Sequence, residues 1–327
     1  MKQRLNVITI GSATKDVFLI SKGFKIIKSK IFSTGYGECF VYGSKVELGG
    51  VYFDTGGGAT NAAATCASLG LTTGVVTSVG KDAPGIEVIL DLKKRGVVVS
   101  QIHKHPQLNT GYSTILLADS GDRTILVYRG ASNDFNPAYI TKKCNADWLY
   151  LSSVGGNVSF LKKVFTQARS NKSRIFWNPG AKELAHGLSF LTPYLKSTHI
   201  LSLNTDEAME LCKGKDVVTN IKKLSKLVPI VLITDGKNGA YMAHGDAVYF
   251  IPTLGTKPLN ATGAGDAFGS GFLSGYIKTG DIFVAACTGV YNSDAIIQTM
   301  GAKNGIITKL PSKKQCDRVS IKAVSTK

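Results

Sequence analysis

An α/β fold, with a mostly parallel central sheet, helices on both faces and a small β lid, is what this sequence predicts. Three observations carry that reading. Short apolar runs ended by glycine alternate with segments of helical period, from Leu5 and again from Trp148. Glycine- or acid-bearing elements follow four separate strands and so share one edge of the sheet. Two stretches, 17–55 and 108–131, break the rhythm with β-rich sequence. The predicted core is therefore 1–16, 56–107 and 132–327, with 17–55 and 108–131 as the lid.

Leu5 to Ile10 is an apolar run stopped by Gly11, as expected of a first strand buried in a parallel sheet. Asp16 follows near the carboxyl end of that strand, where it either accepts hydrogen bonds from substrate hydroxyls or stabilises a turn. Between 17 and 55, Phe18, Phe32, Tyr36, Tyr42, Tyr52 and Phe53 alternate with glycine and lysine, which reads as extended strands and loops. Gly56-Gly57-Gly58-Ala59-Thr60-Asn61 opens an Ala-rich helix through Leu69. Its glycines allow either close approach of a ligand, with Asn61 bonding it, or tight packing of the helix on the sheet.

Thr73 to Val79 reads as a strand, Pro84 to Arg95 as a helix and Val97 to Ile102 as a strand. His103 and His105 flank a lysine and are read as solvated turn residues. Gly111 to Ala118 and Arg123 to Tyr128 form a hairpin about Asp119-Ser120-Gly121-Asp122. From Trp148 the alternation gives a strand at 148–152, a helix at 157–170, a strand at 174–177 and then Asn178-Pro179-Gly180. A strand from His199 to Leu203 runs into Asn204-Thr205-Asp206-Glu207. Asn204 and Glu207 share a face at a helix start, a pattern that serves equally as a capping box. Ile230 to Thr234 is a strand, followed by Asp235 to Gly239 and a hairpin of Ala240–Ala243 with Ala247–Ile251. The stretch Asp281 to Met300 has helical spacing, and the basic tail from Lys303 is read as trailing over the surface.

Composition narrows the function classes. The 327 residues are 43% hydrophobic and 19% charged with 36 glycines, which suits a loop-rich soluble enzyme. No apolar run is long enough for a membrane span and no signal-peptide core is present, so the cytoplasm is the expected location. The six cysteines are scattered without a CxxC pair, which predicts neither a zinc site nor a disulfide framework. The net charge of +17 is spread along the chain, denser only at 22–30 and in the tail, rather than gathered in a basic stripe. That distribution argues against nucleic acid as a partner and fits attraction of anionic nucleotides.

The stretch Asn260-Ala261-Thr262-Gly263-Ala264-Gly265-Asp266 then acquires a chemical meaning. Small residues before a helix predicted from Ala264 to Ile277 expose N–H groups that, with the helix dipole, attract an anion. Asp266 in the first turn would repel a merely bound phosphate. It makes sense as a base that takes the proton of a hydroxyl attacking a phosphoryl group.

The chain resembles the ribokinase-like (PfkB-type) carbohydrate kinase family over nearly its whole length. Gly56-Gly57 with Asn61 resembles the family's GGxxxN signature, and Asn204 to Glu207 its NxxE motif. Asn260 to Asp266 resembles its DTxGAGD signature, and Thr234 to Gly239 its nucleotide-binding turn. The resemblance implies ATP as co-substrate, with Asp266 as base and Gly263, Ala264 and Gly265 as an anion hole. It implies Mg²⁺ held through water by Asn204 and Glu207, and a nucleotide lined by Thr234, Gly236 and Gly239 with Asn292 near the adenine. Asp16, Gly56, Gly57 and Asn61 would hold sugar hydroxyls. Where the signature begins with aspartate this chain has Asn260, so dependence on a monovalent cation is in doubt.

A ribose- or fructose-like sugar is the expected acceptor. A nucleoside stacked on lid aromatics such as Phe32, Tyr36 or Tyr112 and a sugar phosphate met by Arg123 and Arg129 stay open, as does a non-catalytic nucleotide-binding regulator. Lid strands outside the main sheet expose edges, which predicts a homodimer formed through the lid.

Overall fold

The computed structural model describes residues 4–32, 35–117 and 123–324. Its main sheet begins at one edge with Val98–His105, Thr73–Gly80, Leu5–Ile10 and Ala146–Leu151. Arg174–Trp177, Ile200–Asn204 and Ile230–Thr234 continue it, and these seven strands are parallel. Ala240–His244, Ala247–Ile251 and Lys322–Ala323 complete it in antiparallel pairing.

Strand side chains alternate between two apolar layers, which is why the strands read as continuous apolar runs. Leu149, Leu151, Val231 and Ile233 enter the layer of Phe160, Val164, Leu191 and Leu224. Their neighbours Trp148, Tyr150, Ile230 and Leu232 enter the opposite layer with Phe268, Phe272 and Ala286. Helices Gly58–Ser68, Ala264–Thr279 and Ile282–Ile297 supply that second layer; the buried alanines Ala59, Ala62, Ala63 and Ala64 let the first approach closely. The carboxyl ends of the parallel strands lead into Ser12, Ser152, Asn178, Asn204 and Thr234 on one edge.

A second sheet has the order Gly50–Gly56, Thr14–Ile20, Gly111–Leu117, Arg123–Tyr128. A two-stranded ribbon joins Lys25–Lys28 to Tyr36–Cys39. The strand Thr14–Ile20 starts before residue 17, so the expected core–lid boundary at 16/17 cuts a strand of the smaller sheet. The expected turn at 119–122 lies outside the described residues.

Four readings are corrected. His103 and His105 are strand residues, with His103 stacked on Tyr139 at 4.1 Å and His105 Nδ1 accepting from Leu108 N–H at 2.8 Å. The stretch from Lys303 does not merely trail over the surface. Lys303 is buried, 313–319 form a helix, and Lys322–Ala323 extends the main sheet. Cys287 and Cys316 are paired in a disulfide with Cα atoms 5.4 Å apart, a link that spacing alone did not reveal. Asp16 belongs to the smaller sheet rather than to a loop of the core. No helix among the described residues is long and apolar enough to cross a membrane.

Candidate active site

Gly263 takes the left-handed conformation, φ 80°, directly before helix Ala264–Thr279. A Cβ there would also lie 2.5 Å from the Cβ of Ala302, so only glycine fits. The first helical bond runs from Ala267 N–H to Gly263 O at 2.8 Å. The N–H groups of Gly265 and Asp266 therefore lack helical acceptors and belong to the dipole's positive end. At Gly265 a Cβ would meet nothing within 4 Å, so the space over these donors is open.

Asp266 projects from the first turn into a polar cavity of about 200 Å³ shared with Asn178, Ser202, Asn204, Glu207 and Thr234. Its Oδ2 accepts from Asn61 Nδ2 at 2.9 Å. Burial lifts its carboxyl above the usual range, and the Asn61 bond partly offsets this. Asn61 Oδ1 is buried with no hydrogen-bond partner among the described residues, which leaves it free to accept from a hydroxyl.

The residues expected to meet the acceptor come from both sheets. Gly57 has φ 97° before helix Gly58–Ser68, and a Cβ on it would come 2.5 Å from Ser12 O. A Cβ on Gly56 would strike the Asp16 carboxylate, while one on Gly58 would sit 3.6 Å from Asp266 Oδ1. Asp16, Gly56, Gly57, Asn61 and Asp266 are thus brought into one region. Asp16 faces Ser113 and Asp54 across neighbouring strands, and its Oδ1 accepts from Thr14 Oγ1 at 2.9 Å. Burial raises its pKa, opposed by the Thr14 and Ser113 hydroxyls.

Asn204 and Glu207 form the capping box that their spacing allowed. Asn204 Oδ1 accepts from Glu207 N–H at 2.8 Å, and Glu207 Oε2 accepts from Asn204 N–H at 2.9 Å. Both also line the polar cavity. Burial raises the Glu207 pKa, and the charges of Asp206, Glu210 and Asp266 add to it. No group of three or more His, Cys, Asp or Glu poised for a metal occurs among the described residues. Mutually repelling carboxylates with amide oxygens nearby fit a hydrated Mg²⁺, which binds through one or two carboxylates, water and phosphate.

A larger, mainly apolar cavity of about 390 Å³ adjoins the polar one and shares Thr234 and Gly265 with it. Gly236 and Gly239 line it, with φ 52° and 112°. Leu254, Phe268, Val290 and Ile297 supply its apolar wall. Asn292 does not reach it. Its Nδ2 donates to Ala267 O at 2.8 Å and its Oδ1 accepts from Ile307 N–H at 3.2 Å, inside the fold. Ser293 and Asp294, the next two residues of that helix, line the cavity instead. Sequence reasoning also passed over Ser202 and gave Asn178 no role. The signal for Asn178 was present, since Asn178-Pro179-Gly180 directly follows a parallel strand.

Asn260 is 4% exposed, and its Oδ1 accepts from Thr262 N–H at 3.0 Å. Its Nδ2 and Thr262 Oγ1 are buried with no partner among the described residues. With its oxygen engaged, Asn260 presents an N–H donor and no negative charge. This does not fit a monovalent cation.

A carboxylate beside a helix start with open N–H groups, a second carboxylate facing the same cavity and an adjoining apolar chamber match the parts that phosphoryl transfer requires. Comparison with known proteins gives the same class. The model of the pfkB family of carbohydrate kinases matches residues 17–309. The chain is 27% identical to an uncharacterized sugar kinase of Archaeoglobus fulgidus over 248 residues, 73% of this chain and 96% of that protein. It is 27% identical to a ribokinase of Bacillus subtilis over 273 residues, 80% of this chain and 87% of the relative. The crystal structure of a nucleoside kinase of Methanocaldococcus jannaschii superposes with a TM-score of 0.74 at 20% identity, covering 97% of this chain and 98% of that one. The fold is ribokinase-like, and the chain belongs to the pfkB family of carbohydrate kinases.

Proposed function

We propose that this kinase moves the γ-phosphoryl group of ATP to a hydroxyl of a small, uncharged, ribose- or fructose-like sugar. The observation that carries the reading is the placement of Asp266. It is bonded to Asn61 of the acceptor loop and stands one residue beyond the open N–H groups at Gly265. Asp16 and the free Asn61 Oδ1 hold sugar hydroxyls, while Gly56 and Gly57 let the ring approach the backbone. Asp266 takes the proton of the attacking hydroxyl, whose oxygen bonds to the γ-phosphorus as the bond to ADP breaks. The N–H groups of Gly263 and Gly265 receive the charge on the transferring oxygens, while Ala264 between them turns its N–H to Ala261 O at 3.4 Å. Thr234, Gly236 and Gly239 hold the nucleotide, with its base against Leu254, Phe268 and Val290. Mg²⁺, positioned through water by Glu207 and Asn204, would neutralise charge on the phosphates.

The cations nearest Asp16 favour an uncharged acceptor. Lys15 is paired with Glu87 at 2.5 Å and Lys303 with Asp91 at 3.0 Å, which leaves neither for a substrate phosphate. An ATP-consumption screen over sugars, nucleosides and sugar phosphates tests the reading. Turnover with free sugars supports it, and turnover restricted to nucleosides or sugar phosphates overturns the acceptor class. The homodimer remains part of the proposal, supported by the exposed Val51, Phe53, Leu126 and Tyr128 on the smaller sheet. A monomer by light scattering at micromolar concentration would remove it.

A further inference from the structure

We propose that Lys303 is a positioning residue for phosphoryl transfer, holding the acceptor loop in register with the anion loop. The proposal rests on the kinase reading above. Lys303 is the first residue of what read as a solvated tail, yet its side chain is wholly buried. Its ammonium meets Asp91 Oδ2 at 3.0 Å, donates to Thr55 Oγ1, and reaches Thr60 Oγ1 at 3.4 Å. Thr55 immediately precedes Gly56-Gly57, and Thr60 immediately precedes Asn61. Thr60 Oγ1 also donates to Gly56 O at 2.6 Å, so the lysine grips both ends of the acceptor loop.

The backbone around Lys303 is tied to the other half of the site. Ala302 packs under Gly263, so closely that Gly263 cannot carry a Cβ. Asn304 Nδ2 donates to Asp54 Oδ2 at 3.2 Å, and Arg95 Nη1 donates to Lys303 O at 3.1 Å. Arg95 Nε in turn pairs with Asp91 at 2.9 Å. A closed circuit results: Lys303 to Thr60 and Asn61, Asn61 to Asp266, back along the chain to Gly263, and across Ala302 to Lys303. The base stands on this circuit between the acceptor and the phosphate, although Lys303 touches neither.

An apolar side chain of similar length would fill the same space without burying a charge. What it would lack is the directed grip on two hydroxyls and a carboxylate. Displacements of about 1 Å at reacting atoms can cost on the order of 10²-fold in rate, so such a grip bears on turnover.

The test is Lys303→Met, with Lys303→Met/Asp91→Asn as the charge-neutral companion should the single variant not fold. Each folded variant is assayed with ribose and ATP, for binding of a non-hydrolysable ATP analogue, and for amide hydrogen exchange. We expect kcat to fall at least about tenfold with a raised ribose KM, while analogue Kd stays within about twofold. Exchange at 57–61 should quicken while the central strands keep their protection. A purely structural lysine would lower stability but leave kcat and KM per folded molecule unchanged. Wild-type kcat, or wild-type exchange at 57–61, in a folded variant overturns the proposal. Absence of turnover in the wild type with every acceptor refutes the kinase reading, and the exchange result still decides the positioning role.

Discussion

Replacing Asp266 with asparagine separates its chemistry from its cost to the fold. The amide keeps the shape and leaves an oxygen to accept the Asn61 Nδ2 bond, now 2.9 Å long, so the site's framework should persist. The base is lost, and general bases contribute roughly 10²- to 10⁴-fold, equivalent to about 2.7–5.4 kcal/mol of barrier. Stability should move the other way. Burial raises the folded-state pKa of Asp266, so the folded protein binds this proton more tightly than the unfolded chain does. Its ionisation therefore destabilises the fold. That cost is absent below the ordinary carboxylate value, grows as pH rises through the raised one, and is complete above it. Asp266→Asn should accordingly melt higher than wild type near neutrality, with the gain fading on acidification. Coupled ATP-consumption assays and thermal unfolding between about pH 4 and pH 8 measure both arms. Wild-type turnover would refute the base, and a lower melting temperature at neutral pH would refute the burial argument.

Other substitutions probe the remaining parts. Glu207→Gln keeps an oxygen for the Asn204 N–H and should raise the Mg²⁺ requirement more than the acceptor KM. An unchanged Mg²⁺ titration would reduce the pair to a helix cap. Gly263→Ala forces a side chain into the left-handed region against Ala302 and should lower stability by at least about 1–2 kcal/mol, read by denaturant unfolding. Gly265→Ala enters open space, so unfolding should shift by under about 0.5 kcal/mol while kcat falls, because its methyl crowds the transferring phosphate. Equal effects of the two would contradict this account of the anion loop. Because Asn260 offers a buried N–H rather than a carboxylate, rates in sodium and potassium should differ less than about threefold, under roughly 1 kcal/mol. Asn260→Asp should create potassium activation, and a tenfold activation of the unaltered enzyme would show that the carboxylate is dispensable.

Strands such as Ile230–Thr234 and Arg174–Trp177 were legible because both their faces are covered, which leaves an uninterrupted apolar run. The glycine turns were legible for a similar reason, since few residues tolerate the conformations at Gly57 and Gly263. What escaped depended on contacts remote in sequence. Lys303 reads as solvated by charge alone, and nothing local shows that Asp91 lies more than two hundred positions away to receive it. Helix Ile282–Ile297 is apolar nearly all round, so no polar stripe distinguishes the face of Asn292 from that of Ser293 and Asp294. Asp16 was tied to the first strand by proximity. The chain crosses from one sheet to the other within a few residues, and no charge or periodicity marks that crossing. The pairing of Cys287 with Cys316 likewise depends on how two helices meet.

The central placement of Leu5–Ile10 has a consequence for biosynthesis. This strand is made before both of its flanking partners, Thr73–Gly80 and Ala146–Leu151. At about 5–20 residues per second, a ribosome delivers the second partner roughly 4–14 s after the first. For that interval the nascent chain can pair one side of an apolar strand while the other offers unpaired N–H and C=O groups, a template for another chain. The opposite edge of the sheet waits longer, because Lys322–Ala323 lies far beyond Ala146–Leu151 in the chain. Yield in a recombinant host should therefore depend on translation speed and on chaperones that shield nascent strand edges, more than the stability of the finished molecule would indicate.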